Sequence, residues 1–296
     1  MTTIVCPIVF KDFKKNIKLS EQVVIRAVTK GEKEDISRGY RIGYKFVDEG
    51  PFRDKIQIES FTDPHGGGYL SEMSDNLKHF LAANHCVELT LPAPFLSRFH
   101  EEALKINLAL KLFKLTSSGI FIWFNSDKHS EGRNDEYLNP FNGPFGYLTL
   151  GEADGNGLRN IYERIDFSDG HLSLMTFLFL RSLQSKGEHY DIRFLQLATI
   201  LEMLFAKDSP DNLTYKLSIR SSKLLGQRFK EDGYLFFRKI KDIYKMRSKI
   251  VHSADYNKFD ITMFCELAEI IRKCLNIYLE NKDSFEPEEL DKLILN

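Results

Sequence analysis

The sequence has few cysteines, and no two of them stand close together. Its 296 residues include four, Cys6, Cys86, Cys265 and Cys274, and none belongs to a Cys-x-x-Cys pair. A disulfide framework or a thiolate zinc site needs cysteines that are denser or more closely spaced. We therefore expect reduced thiols in a cytoplasmic protein that uses no metal and no cofactor.

The helical half of the chain also lacks a long hydrophobic run. Its longest apolar stretch is LSLMTFLFL, nine residues that end before Arg181, whereas a membrane-spanning helix needs about 20 residues. The first residues, MTTIVCPIVFKDFKK, lack the basic start and the small-residue cleavage site of a signal peptide. We expect no association with a membrane.

Net charge is nearly absent, formally −1, but the charges are unevenly distributed. Residues 207–258, the basic block, carry 13 Lys or Arg and 6 Asp or Glu, a net +7, whereas residues 259–296 carry 4 and 9, a net −5. A basic block on a neutral protein is typical of a surface for an anionic partner such as nucleic acid. Helices whose lysines simply face solvent give the same count, so charge alone leaves both interpretations open.

Two hydrophobic periods divide the chain. Up to about residue 167, short runs rich in β-branched and aromatic residues alternate with Gly, Pro, Asn and Asp clusters, which is typical of strands. The runs are TIVCPIVF, VVIRAVT, RIGYKFV, KIQIES, CVELTL, GIFIWF and FGYLTL. One helix, over 99–115, interrupts them. The segments DGNGLRN and DFSDG are interpreted as loops, the second of them at the domain boundary.

After Gly170 the apolar residues recur at helical spacing. The pattern predicts helices over 172–186, 190–206, 213–227, 231–251 and 260–281, and the last segment, NKDSFEPEELDKLILN, is expected to fray. The sequence therefore predicts an α+β protein. It has a β-rich N-terminal domain with one helix over 1–168 and an all-α helical bundle over 169–296.

One charge interrupts the apolar stripe of the helix predicted over 231–251. On a helical wheel with Ile240 at 0°, the stripe runs from about 280° to 40°, and Arg247 falls near its middle, at about 340°. Burying a guanidinium without a partner costs several kcal/mol, so Arg247 needs an acidic partner or an anion. Glu202, in a polar stripe of the 190–206 helix, is a structural candidate. The apolar stripe consists of Phe236, Ile240, Ile243, Tyr244, Ile250 and Val251.

His252 follows Arg247 five residues later, which places it about 140° away on the same wheel. The two side chains converge only if the helix ends or bends near Val251, or if a second subunit places its own pair opposite. An imidazole in the last turn of a helix also interacts favourably with the helix dipole. A structural role therefore stays open for His252.

The R-x4-H spacing near the end of a helix, in a small bundle, resembles the signature of the HEPN superfamily. The surrounding sequence extends the resemblance over about residues 190–280. Its segments LATILEMLFAKDSPDNLTYKLSIRSSKLLGQ and FRKIKDIYKMRSKIVHS are similar to the HEPN domain of the ApeA-like group. That group has a helix ending in Leu-Glu-x-Leu-Phe, then a Thr-Tyr-Lys-Leu helix, then Tyr-x-x-Arg-Ser-Lys-Ile-Val-His.

The resemblance implies a bundle of four or five helices that forms a homodimer, with both R-x4-H motifs facing one cleft. Many such proteins are metal-independent ribonucleases of phage-defence or toxin systems, so Arg247 and His252 are predicted to be the catalytic pair. A histidine with a pKa near neutrality suits proton transfer at the 2′-hydroxyl and the leaving oxygen. An arginine offers a fixed, two-pronged cation for the crowded phosphorane.

Supporting roles follow from the resemblance and from the basic block. Glu202 and Ser248 are predicted to orient the catalytic pair. Lys245, Lys249 and Tyr244 are predicted to bind the RNA.

Other functions stay open from the sequence. A non-catalytic bundle, which dimerises or binds nucleic acid while Glu202 neutralises Arg247, fits the same residues. The N-terminal domain is expected to sense or recruit, with a phage or host protein as its trigger.

Three weaker motifs have simpler interpretations. The loop FTDPHGGGYL, with Asp63 and His65, resembles a phosphate loop but is better read as a flexible hairpin loop. The pair His85 and Cys86 invites comparison with a thiol protease, but no orienting group can be placed. The polar loop over 125–135 has metal-binding residue types, and solvation explains them more simply.

Overall fold

The computed structural model describes most of the chain, in two compact units. The described residues are 1–8, 10, 12–13, 15–39, 42–47, 55–61, 83–92, 95–120, 122–125, 130–133, 145–151, 153–183, 190–208, 212–253 and 259–295. One unit comprises Met1–Leu110 and Thr116–Glu163, and the other Lys111–Leu115 and Arg164–Asn296. The protein is therefore of mixed α+β class, as the sequence predicted.

Strands form the framework of the first unit. Those described are β1 Thr2–Ile8, β2 Asp12–Phe13, β3 Ile17–Ser20, β4 Val23–Ala27, β5 Ile42–Val47, β6 Lys55–Phe61, β7 His85–Leu91, β8 Ile122–Asn125, β9 Ser130–Arg133 and β10 Thr149–Leu150. Six of them form one antiparallel sheet in the order β3-β4-β7-β1-β8-β9, while β5 pairs with β6 and β2 with β10. Each strand-like run of the sequence thus contains a strand, although FGYLTL contributes only its last two residues.

The sheet core is formed by the β-branched and sulfur-containing residues of its inner strands. Strand β1 pairs with β7 from Thr2↔Leu91 to Ile8↔His85, and Ile4 and Cys6 have no exposed surface. Val5, which points to the opposite face, is 5% exposed, so water is excluded from both faces of the strand.

Three helices are described in or beside this sheet unit: α1 (Lys30–Gly39), α2 (Phe95–Phe113) and α3 (Asp154–Arg164). Helix α2 is the helix predicted over 99–115. Its buried Asn107 donates from Nδ2 to the Ile120 carbonyl and accepts at Oδ1 from the Ile120 N–H, both at 2.8 Å. Helix α1 was not predicted.

The interpretation of DGNGLRN as a loop is wrong, because these residues begin helix α3. Two glycines and two asparagines lower its intrinsic helix propensity, but Leu158 and Tyr162, one turn apart, are 0% and 4% exposed. A Cβ at Gly155 would lie 3.3 Å from the Ile17 side chain. Glycine therefore permits a close approach to β3, and burial of the Leu158 face overrides local propensity.

The second unit is helical. Its helices are α4 Gly170–Ser182, α5 Tyr190–Phe205, α6 Leu213–Phe229, α7 Gly233–Ser253, α8 Ile261–Glu280, a 3₁₀ turn at Lys282–Phe285 and α9 Pro287–Leu295. The five helices predicted after Gly170 are all present, with ends shifted by up to a few residues. Among the described residues, no helix is both long and apolar enough to cross a membrane.

The expectation that the last segment frays is wrong. Phe285 and Leu290 are 0% and 1% exposed, and the Phe285 ring lies 5.3 Å from that of Phe205, edge to face. Burial of these two apolar side chains holds the segment against the bundle.

The beginning of α4 is fixed by Asp169, in the segment DFSDG. Its Oδ1 accepts from the backbone N–H of His171 at 2.9 Å and of Leu172 at 3.2 Å, and its Oδ2 accepts from the Tyr278 hydroxyl at 2.9 Å. The side chain thus caps α4 and ties it to α8.

Arg220, on α6, is a buried structural charge. Its guanidinium donates to the Phe205 carbonyl at 2.9 Å, to both oxygens of Asp208 at 2.7 and 3.0 Å, and twice to Asp291 at 2.8 and 3.0 Å. All five N–H donors are therefore satisfied while the residue is only 2% exposed. Arg220 links the end of α5, the following turn and α9.

This arrangement predicts an acid-sensitive contribution to stability. Hydrogen bonds from Arg220 hold the pKa of the Asp208 carboxyl well below its usual range. A carboxyl whose pKa is depressed by folding stabilises the protein above its unfolded pKa of about 3.9, and this contribution is lost as the pH falls further. We expect Asp208→Asn to lower the free energy of unfolding near neutral pH, and this difference should shrink as the pH falls from about 4 toward the depressed pKa of the folded state. Urea denaturation at a series of pH values measures the difference, and a difference independent of pH would contradict the assignment.

Candidate functional site

Helix α7 carries the predicted catalytic residues. Its buried face is the predicted one through its first three turns, where Phe236, Ile240 and Ile243 are 7%, 0% and 1% exposed. The face then leaves the core, since Ile250 is half-buried and Val251 is 48% exposed. The last turn of α7 therefore presents apolar surface beside His252.

Arg247 lies against a carboxylate of α5. Its Nε is 3.1 Å from Oε1 of Glu202, and the two side chains are 27% and 25% exposed. The same Oε1 accepts a hydrogen bond from the Tyr244 hydroxyl at 2.8 Å. The guanidinium carbon also lies 5.6 Å from the Tyr244 ring centroid, within range of a cation–π interaction.

Tyr244 is a fixed donor in this group. Burial, together with its hydrogen bond to Glu202, raises the pKa of Tyr244 above its usual value. The phenol therefore stays protonated at neutral pH and keeps the carboxylate in place. The sequence contained a signal for this contact: Tyr244 and Arg247 are three residues apart and share one helix face, toward the predicted Glu202.

The ion pair with Glu202 involves only Nε among the nitrogens of the Arg247 guanidinium. Among the residues that the structure describes, Nη1 and Nη2 of Arg247 donate no hydrogen bond, and the ion-pair contact with Glu202 is made at Nε. These two nitrogens can still form the paired hydrogen bonds that a phosphate accepts. Glu202 thus orients Arg247 without occupying all its donors.

His252 lies on the exposed surface of α7. The helix continues to Ser253, so it does not end at Val251, and helical geometry separates Arg247 and His252 by about 140°. Nothing in the described part of the chain joins the two side chains. Because the helix is continuous past Val251, the arrangement that could still bring an Arg247 and a His252 together is a second subunit that places its own pair opposite.

The other predicted residues differ in their accessibility. Lys245 and Lys249 are exposed, and Ser248 is half-buried and, within the described segments, forms no hydrogen bond with Arg247 or His252. Tyr244 is only 5% exposed. Its ring face is therefore not open to a nucleobase, and we place it as the residue that holds Glu202.

The weaker motifs do not assemble a second site. His85 and Cys86 are neighbours on strand β7, so their side chains point to opposite faces of the sheet, and burial raises the pKa of the Cys86 thiol to about 12. Asp63 and His65, and most of the polar loop over 125–135, lie outside the described residues. Within the described residues no cluster of His, Cys, Asp or Glu can hold a metal ion.

Comparisons with protein-family models, with curated proteins and with solved structures found no match to this chain. The HEPN assignment therefore stays a prediction from the residues quoted above.

Proposed function

We propose that the helical unit is a HEPN-type, metal-independent endoribonuclease that acts as a homodimer in phage defence or as a toxin. The observation that carries the proposal is Arg247, which Glu202 orients through Nε while its Nη donors stay available, on the helix that exposes His252. Arg247, the charge in the apolar stripe, is thus proposed to bind phosphate, a role that packing alone does not explain.

The proposed reaction needs no metal. His252 accepts the proton of the RNA 2′-hydroxyl, and the 2′-oxygen attacks the adjacent phosphorus. The P–O5′ bond then breaks, the protonated His252 returns its proton to the departing 5′-oxygen, and the products are a 2′,3′-cyclic phosphate and a 5′-hydroxyl. Arg247 stabilises the added negative charge of the phosphorane through Nη1 and Nη2.

A second copy of the chain completes the site in this proposal. Because Arg247 and His252 diverge on one helix, each active centre combines Arg247 of one protomer with His252 of the other. The exposed last turn of α7, with Val251 at 48% exposure, supplies apolar surface for that contact.

A non-catalytic bundle is the second candidate function. The Glu202–Arg247 pair favours it, since a neutralised arginine serves a structural role equally well. In this case the bundle dimerises or binds nucleic acid without cleaving it. With either function, we propose that the N-terminal unit senses a phage or host protein.

RNA cleavage in the presence of EDTA separates the two functions. We expect the purified full chain to cleave tRNA or mRNA at the same rate with EDTA as with Mg²⁺, because only side chains do the chemistry. Mapping of the product ends should give 2′,3′-cyclic phosphates. Salt-sensitive RNA binding without cleavage would favour the non-catalytic bundle, and cleavage that EDTA abolishes would contradict the proposed chemistry.

A further inference from the structure

A shallow groove lies between α6 and α7, on residues that the proposed chemistry does not use. Tyr215, Ile219, Lys223, Tyr234 and Phe237 line it, and it encloses about 410 Å³, a volume in the range of small-ligand sites. Tyr215 and Tyr234 are 61% and 66% exposed. We call Tyr215, Tyr234 and Phe237 the aromatic groove.

The rings of the aromatic groove support one another from the side. Tyr215 and Phe237 meet edge to face, with centroids 6.2 Å apart and planes at 75°. Gly226 permits the close approach of α6 to the start of α7, since a Cβ there would lie 3.2 Å from the Gly233 Cα. The Phe237 ring thus supports Tyr215, while most of the surface of both tyrosines is open.

Cations continue from the aromatic groove along α7. With Tyr234 at 0° on a helical wheel, four basic residues and His252 all fall between about 340° and 60°, and all are exposed. The four basic residues, called the basic stripe below, are Arg238, Lys241, Lys245 and Lys249. From Tyr234 to His252 the helix rises about 27 Å.

The basic stripe is poorly neutralised compared with the rest of the helical unit. Lys239, on another face of α7, pairs with Glu266 at 2.8 Å, and several other lysines and arginines of the unit have such partners. In the described part of the chain, Arg238, Lys241 and Lys249 have no acidic partner, and Lys245 has only Asp242, at 3.7 Å. Lys241 instead lies 6.0 Å from the Phe237 ring centroid.

We propose that the aromatic groove and the basic stripe form a track for single-stranded RNA that leads to His252. Unpaired bases stack on Tyr215 and Tyr234, and the following phosphates run along the basic stripe. This proposal rests on the proposed function, whose substrate it places on the surface.

The surface chemistry favours RNA over a protein partner and a single strand over a duplex. Exposed aromatic rings beside unpaired cations are the arrangement that binds single-stranded nucleic acid without sequence preference. Bases in an A-form duplex are already stacked and cannot reach the tyrosines.

Binding of a probe that cannot be cleaved tests the track. The probe is a short, fluorescein-labelled 2′-O-methyl oligouridine, titrated into the full chain at several salt concentrations. Stacking on a protein ring changes binding by about 1–3 kcal/mol per base, so Tyr215→Ala and Tyr234→Ala should each bind about 5- to 150-fold more weakly. Their salt dependence should match the wild type, and Tyr234→Phe should bind normally.

The lysines of the basic stripe are expected to contact RNA phosphates, which makes the RNA affinity depend on the salt concentration. Lys241→Gln should reduce the slope of log affinity against log salt by about 0.7, the value for one phosphate contact on a single strand. Lys239→Gln, on the same helix but off the basic stripe, is the matched control and should leave the slope unchanged.

Two results would overturn the track. One is wild-type affinity in both Tyr→Ala variants, and the other is equal slopes for the two Lys→Gln variants. If the tyrosine variants change the oligomeric mass but not the RNA affinity, the aromatic groove is a protein interface and the proposal is also wrong. The probe lacks a free 2′-hydroxyl, so its binding is measured independently of cleavage. If the probe binds as predicted but RNA is not cleaved, only the proposed nuclease activity is wrong. If RNA is cleaved but the variants bind the probe as the wild type does, only the track is wrong.

Discussion

Replacement of His252 by Ala is expected to lower the rate of RNA cleavage by about 10²- to 10⁴-fold, the usual contribution of a general acid–base residue. The side chain is exposed, so its loss removes no packing, and exposed substitutions change the free energy of unfolding by about 0.5 kcal/mol or less. Cleavage rates in EDTA and urea denaturation of the same preparation measure both quantities.

His171→Ala is the matched control for this prediction. His171 is also exposed, in the first turn of α4, and its replacement should leave the cleavage rate unchanged. Arg247→Ala is a less selective probe, because it also removes the ion pair with Glu202. A His252→Ala protein that cleaves at the wild-type rate would remove His252 from the mechanism.

Replacement of Arg220 by Ala is expected to lower the free energy of unfolding by roughly 3 kcal/mol. That is the lower end for breaking a buried ion pair, because the Asp208 and Asp291 side chains keep 29% and 55% of their exposure and water can solvate them. The carbonyl of Phe205 loses its donor as well. The loss should appear in the unfolding of the helical signal in urea.

Arg228→Ala is the control for Arg220. Arg228 lies on the same helix and pairs with Glu280, but its side chain is 54% exposed. An exposed pair contributes about 0–1 kcal/mol, so this replacement should cost far less. Equal costs for the two variants would mean that burial and the five hydrogen bonds of Arg220 add nothing.

Arg220 and Arg247 illustrate how far a sequence can identify the partners of charged residues. Both belong to the basic block of residues 207–258, and a charge count treats them alike. The hydrophobic period placed Arg247 in the apolar stripe of its helix and made Glu202 a candidate partner, and the structure pairs the two. The partners of Arg220 lie 12 and 71 residues away, at Asp208 and Asp291, and no periodicity relates them.

The secondary structure was predictable where hydrophobic periodicity is strong. The strand-like runs around β1 and β7 and the five helices after Gly170 follow directly from it. Helix α3 was missed because Gly155 weakens the local signal, while burial of Leu158 comes from tertiary packing. The candidate site was predictable only in part, since one helix cannot bring Arg247 and His252 together.

The central claim is that two chains share each active centre, and complementation between variants tests it most directly. Arg247→Ala and His252→Ala proteins are mixed in equal amounts, allowed to exchange subunits, and assayed for RNA cleavage in EDTA. Each variant alone should be inactive. In the mixture, about half of the dimers are mixed and keep one intact centre of two, so activity should recover to roughly a quarter of the wild-type rate. A mixture that stays inactive after verified exchange, beside an active wild type, would contradict the shared centre.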